Sequence, residues 1–416
     1  MAEVRFRVYG YRWVVLLSFM GIIALNQLLW ITFAAITSEA MQFYGVSELS
    51  IGLLSLSFLV VYLIASFPAS WVIDTYGIRV GVGIGAALTG IFGLVRGLTG
   101  SSYTGVLLAQ IAIAIGQPFV LNAITTVAAR WFPMEERATA SGLGSLAIYL
   151  GILIGIALTP YLTLRSGMTG MLIAYGVASI IAMVIFFVFA RERPPSPPCP
   201  PEQESRSLML DVLTKMIHQR DFQLLLIIFF VGLGAFNAIT TWIEEILAPR
   251  GFSVIQAGNS GGAMIFGGIL GAVILPLLSD RYRRRVPFLI LAVIGATVGL
   301  MGITYLTGFG LVMFFSFLFG FFLLSAGPLG FQYGAEITYP APEGTSNGLL
   351  LFMGQISGIL FILGLDAFKS PQTGSMTQPL FVLVVLLMLC LVLATRLREA
   401  NAIQTTPEHL PNTGNS

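Results

Sequence analysis

Twelve apolar stretches, each about as long as a bilayer is thick, follow one another along this chain with a single long polar interruption at residues 191–221. A hydrocarbon core about 30 Å thick takes roughly 20 residues of helix to cross. Only helices and closed barrels satisfy their backbone polar groups there. An all-α membrane protein with 12 transmembrane helices is therefore expected. The balance of 56% hydrophobic to 10% charged residues, with a mean hydropathy of +0.89, would give a water-soluble fold a large apolar exterior.

The expected spans cover 13–36, 51–72, 80–98, 104–128, 138–162, 168–190, 222–247, 254–279, 286–307, 309–334, 345–368 and 376–396. Basic residues are retained on the cytoplasmic side. With the N-terminus inside, 17 of the 21 Lys and Arg residues fall in cytoplasmic segments, leaving Arg96, Arg165, Arg250 and Lys369 near the outer face. A multi-pass protein of the cell (plasma) membrane with both termini cytoplasmic is the resulting expectation. The basic residues then report orientation, and no nucleic-acid partner is expected. The first apolar run, from Trp13, lacks a small-residue cleavage site and reads as a retained span. The two cysteines, Cys199 and Cys390, supply no disulfide framework.

The chain repeats itself. Asp74, after span two, is echoed by Asp280 after span eight, 206 residues on; Pro133 and Glu136 are echoed by Pro340 and Glu343, each 207 residues on. These offsets divide the chain into a six-helix bundle at 1–190, a cytoplasmic linker at 191–221, a second bundle at 222–398 and a tail at 399–416. Parallel duplication of six spans resembles the major facilitator transporters, which hold substrate between the halves. The loop Asp74-Thr-Tyr-Gly-Ile-Arg79 resembles that superfamily's signature between spans two and three, with Ser70 and Thr75 departing from it. The resemblance implies a gating latch of Asp74, Arg79, Asp280 and Arg281, in which the Asp caps a helix N-terminus and pairs with Arg.

Three further stretches resemble the feline leukaemia virus subgroup C receptor family: Asn26-Gln-Leu-Leu-Trp30, Gln110 through Gln117 into Trp131-Phe132, and Gly327 through Glu336, Pro340 and Glu343 to Gln355. The resemblance implies transport of choline and ethanolamine, with haem as a second assignment. It also implies a pocket of Trp30, Gln117 and Gln355. The span-seven position, aromatic in the family, falls on Asn237 here. A quaternary ammonium is held largely by aromatic faces, each worth about 0.5–2 kcal/mol, so losing one weakens or retunes the pocket.

The same residues make sense on chemistry alone. Glutamines deep in apolar helices are costly unless they meet a partner or a cavity, and Gly116 and Pro118 around Gln117 loosen the helix where a site could form. The plainer alternative is that these polar side chains join neighbouring helices. Glu39, Glu244, Glu245 and Asp366 lie at span ends, so with no central carboxylate facilitated diffusion is the simpler mechanism. Arg96 is expected to snorkel to the interface, leaving no basic residue at mid-depth for an anionic substrate. Residues 207–220 are expected to form a short interfacial helix.

No metal-ligand spacing, phosphate-binding loop or His-Glu-x-x-His is present. The chain is not expected to be an enzyme, and it calls for no cofactor or metal. Its expected partners are a small-molecule substrate and membrane lipid, and a monomer is expected. The alternatives are a haem or small organic anion transporter, or a receptor or sensor on a transporter fold; the lack of a His in any span counts against haem.

Overall fold

The computed structural model describes residues 7–196, 216–339 and 343–399. The expected interfacial helix over 207–220, most of the proline-rich linker, Pro340 and the tail beyond Glu399 lie wholly or largely outside them. Among the described residues the chain is helical and has no strand. In the N-terminal half the helices are α1 (Arg12–Ile31), α2 (Thr37–Tyr44), α3 (Glu48–Tyr76), α4 (Ile78–Leu98), α5 (Tyr103–Leu121), α6 (Ile124–Trp131) and α7 (Met134–Phe189). The C-terminal half has α8 (Arg220–Thr241), α9 (Ile243–Leu247), α10 (Val254–Tyr282), α11 (Val286–Tyr305), α12 (Phe309–Thr338), α13 (Glu343–Ala367) and α14 (Thr377–Ala394).

Helix starts follow local chemistry. Ser47 and Ser102 cap α3 and α5, and Ser253 with Gln256 forms a reciprocal capping box at α10. The first membrane segment is broken: α1 ends at Ile31, a 3-10 turn occupies Thr32–Ala35, and α2 resumes at Thr37.

Among the described residues, eleven helices are long and apolar enough to cross a membrane. The expected fifth and sixth spans are the two arms of one of them, Thr139–Phe189. Its backbone leaves helical geometry at Gly167, with φ +72°, a conformation that suits a residue without a side chain. Thr159 and Tyr175 lie 16 residues apart, about 24 Å along a straight helix, yet their hydroxyls are 2.9 Å apart. The helix therefore folds back as a hairpin, with no intervening coil.

The hairpin packs on the first and third segments: a side chain at Gly151 would meet the Ala24 carbonyl, and one at Gly176 the backbone of Leu94. One apolar core runs through both halves, and a second, smaller one joins α1, α3 to α7 near the end that carries the termini. At the opposite end, hereafter the far end, the halves are tied by side chains. Glu244 accepts from the Ser38 amide at 2.8 Å and from its hydroxyl, Lys369 pairs with Glu48, and the Tyr161 hydroxyl donates to Asn259 at 3.1 Å. Glycines bring the halves close below these bonds, Gly258 against Pro160 and Gly358 against Leu59.

Candidate functional site

The break in the first segment leaves the carbonyls of the last turn of α1 without helical partners, and side chains take them up. The Thr32 hydroxyl donates to the Leu28 carbonyl at 2.8 Å, Arg96 Nη1 and Gln110 Nε2 donate to Leu29 at 2.9 and 3.1 Å, and the Ser55 hydroxyl donates to Trp30 at 3.4 Å. Trp30 sits among these bonds. Its indole N–H donates to the Ser55 carbonyl of α3 at 3.1 Å, and the side chain is buried.

Arg96 corrects an expectation. It does not snorkel: it is 0% exposed, its Nη2 donates to Thr32 Oγ1 at 3.3 Å, and its guanidinium lies 5.3 Å from the Phe33 ring centre. A cation therefore does lie level with Trp30, against the sequence-based expectation that none would. It is sealed behind α1, with its bonds directed to the protein.

Asn237, 207 residues after Trp30, is buried in α8 and donates to the Gly354 carbonyl of α13 at 3.3 Å. That carbonyl precedes Gln355, so Asn237 and Gln355 lie at one level. Gly358, one turn on, touches both Asn237 and Leu59, and Leu59 is one turn beyond Ser55 on α3. The contact of α3 with α13 thus connects the Trp30 and Asn237 sites. Gln117 lies further off. Gln110, seven residues earlier on α5, is level with Leu29, which puts Gln117 about 10 Å further along the helix axis. Gln117 is buried and Gln355 half-buried, and neither amide bonds another described residue.

At the end carrying the termini, sequence reasoning missed the residue that does the capping. Asp74 lies exposed in the last turn of α3, not at a helix N-terminus. Glu192 caps α4 instead, accepting from the amides of Ile78 at 3.2 Å and Arg79 at 2.8 Å while pairing with Arg130. Gly77, at φ +94°, is what lets it in, because a Cβ there would fall 2.3 Å from the Glu192 carboxylate. In the second half Glu399 accepts from the amides of Arg285 at 3.1 Å and Val286 at 3.0 Å. Glu192 and Glu399 are 207 residues apart, as are Ile78 and Arg285, and that shared offset was the available signal. Asp280 pairs with Arg285, which also binds Glu336 at 3.1 Å. The side chains of Arg79 and Arg281 are exposed and have no ion-pair partner among the described residues.

At the far end Glu245 faces Glu48, Glu244 and Lys369. Burial, then the Glu48 and Glu244 carboxylates, pushes its carboxyl up to about 8, with Lys369 pulling the other way. Burial works against the Lys369 charge as well, but Glu48 and Asp366 hold that ammonium above its usual range. Among the described residues no cluster of His, Cys, Asp and Glu is placed to hold a metal.

The Major Facilitator Superfamily model matches residues 9–362. The chain belongs to that superfamily. It is 31% identical over 397 residues to Solute carrier family 49 member A3 of Xenopus tropicalis, covering 90% of this chain and 81% of that one. It is 30% identical over 404 residues to the choline/ethanolamine transporter FLVCR1 of Mus musculus, covering 88% and 72%. It is 29% identical to FLVCR2 of Homo sapiens over 85% of this chain and 71% of that one. A bacterial homologue of the lysosomal transporter Spinster superposes with TM-score 0.75 at 16% identity, covering 97% of this chain and 100% of that one, which establishes likeness of fold. The chain is a multi-pass membrane transporter and not an enzyme.

Proposed function

We propose that the protein moves a small amine cation, such as choline or ethanolamine, by alternating access without a coupling ion, through a pocket of Trp30, Gln117, Asn237 and Gln355. The observation that carries the reading is the pair of amides without a bond to another described residue, Gln117 in one half and Gln355 in the other, together with a buried indole, in a chain among whose relatives are proteins named choline/ethanolamine transporters. Neutral amide oxygens and one aromatic face suit a weakly hydrated cation. Asn237 in place of a second aromatic face favours a primary amine, which its amide oxygen can accept from, over a fully methylated one. Arg96 does not turn the reading toward an anion, since it is 0% exposed and both its terminal nitrogens bond within the protein, to Leu29, Thr32 and Gln110.

The termini and the Arg-rich loops lie in the cytoplasm of a cell-membrane protein on this reading. The far end is then the outer gate, closed here. Asp74, Arg79, Asp280 and Arg281 act at the opposite gate, which Glu192, Arg130 and Arg285 brace. Uptake of radiolabelled choline and ethanolamine into proteoliposomes tests the proposal. Trp30→Ala should lower apparent affinity by about 2–30-fold, the equivalent of one aromatic face; equal uptake by variant and wild type would remove Trp30 from the site.

A further inference from the structure

Arg96 is an expensive residue to keep. It is fully buried within the apolar helices, forms no ion pair among the described residues, and leaves its Nε without an acceptor. A cation so placed normally marks function. A purely architectural role is answered by the protein itself: 207 residues on, at the matching place two residues before the end of α11, stands Ile303. The fold builds the equivalent helix without an arginine of its own at that position; the cation that bonds the carbonyls of Ile303 and Leu306, Arg250, comes from the turn after α9, is only partly buried and does not reach Asn237.

What distinguishes the two halves at this level is what the pin holds. In the first half the residue at the helix break is Trp30; 207 residues on stands Asn237, four residues before the end of α8. An indole in a binding site has to be held to within a fraction of an ångström, whereas the end of a broken helix drifts unless its free carbonyls are tied down. Arg96 ties down the carbonyl immediately before Trp30 and the hydroxyl two residues after it, and Gln110 reinforces the first bond while accepting at 3.1 Å from Arg96. The guanidinium charge also sits against the negative end of the α1 dipole, where it is stabilised. The planar fork matters, because one ammonium group cannot reach both acceptors in the same geometry.

We infer that Arg96, seconded by Gln110, is a positioning residue for substrate binding: it fixes the break in the first segment and so sets where the Trp30 indole stands in the pocket. The inference rests on the pocket reading given above and adds a residue that does not touch substrate.

The test is a double-mutant cycle on [³H]choline uptake in proteoliposomes, with equilibrium [³H]choline binding by scintillation proximity as a readout independent of turnover. Arg96→Lys, which keeps the charge and loses the fork, should raise KM and weaken binding about tenfold while changing kcat less than twofold. Gln110→Leu, which leaves Arg96 in place, should raise KM about threefold; it is the variant to use should Arg96→Lys fail to fold. Added to Trp30→Ala, either change should cost less than a further twofold, because there is no indole left to place. Unchanged KM in Arg96→Lys and Gln110→Leu beside an impaired Trp30→Ala overturns the positioning role and leaves the pocket standing. So does a double variant whose loss is the product of the single losses. Wild-type binding and uptake by Trp30→Ala alone overturns the pocket, and this inference with it.

Discussion

In the first half Asn26, Thr32, Thr89 and Arg96 are buried polar residues linking α1, α4 and α5; 207 positions on, the second half has Leu233, Ile239, Ala296 and Ile303. The second half relies more on backbone approach. A Cβ on Gly271 would lie 1.8 Å from the Phe321 carbonyl, and one on Gly320 would lie 1.7 Å from that of Met264, so α10 and α12 touch main chain to main chain. One topology thus tolerates two cements. Directional bonds hold a helix at one rotation and height, whereas close glycine packing holds two axes together and leaves sliding easier. On the proposed pocket, the half that places an indole gains more from the former.

The largest effect that could break this contrast is at the glycine seam. Gly320→Ala should cost several kcal/mol, on the order of 3 or more, because the obstacle is backbone that cannot swing aside. A melting temperature in detergent within 2 °C of wild type would show that the seam is not tight. Next comes the polar network. Asn26→Leu alone strands the Thr89 hydroxyl and should cost about 1–3 kcal/mol, whereas Asn26→Leu with Thr89→Ala, the pair found in the second half, should come close to neutral. A double variant no better than the single would mean that the halves are not interchangeable at this position.

A third prediction concerns the far end, where the halves meet. Glu245 is raised to about 8 in the closed arrangement, so closure binds a proton that a solvated carboxyl would release. The closed form is therefore favoured fully below about 4.5, the ordinary carboxyl value, and loses that advantage as pH rises through about 8. Choline uptake should change across this window, and Glu245→Gln should flatten the profile; an unaltered slope in Glu245→Gln would remove Glu245 from the titration. The smallest effect tests where the halves agree. Glu192→Gln and Glu399→Gln should each cost about 1 kcal/mol, the worth of a charged cap on helix amides, and any excess at Glu192 would report the Arg130 pair that Glu192 makes in addition.

Much of the fold was legible because bilayer thickness fixes span length and a duplicated chain repeats its loops at one offset. The fifth and sixth spans were legible as apolar runs, but their merger at Gly167 was not, because hydropathy does not register a turn made by one backbone angle. At the site, the sequence singled out Trp30, Gln117, Asn237 and Gln355 as residues, while the spacing that sets Gln117 apart needed the pairing of α1 with α5. Arg96 was misread for a physical reason. An arginine two residues from a helix end ordinarily reaches outward, and only the helix break across from it supplies acceptors that turn it inward. Asp74 was misread because its neighbour Gly77 opens the cap position to a carboxylate more than a hundred residues away.

Glu399 has a practical corollary for anyone shortening this chain. Hydropathy would trim it at 398, just past the final apolar run, yet that cut removes the carboxylate holding the start of α11 and leaves the terminus moored by the buried Leu397 side chain and by the Tyr333 hydroxyl on the Arg398 carbonyl. A truncation that stops after residue 399 retains the keystone.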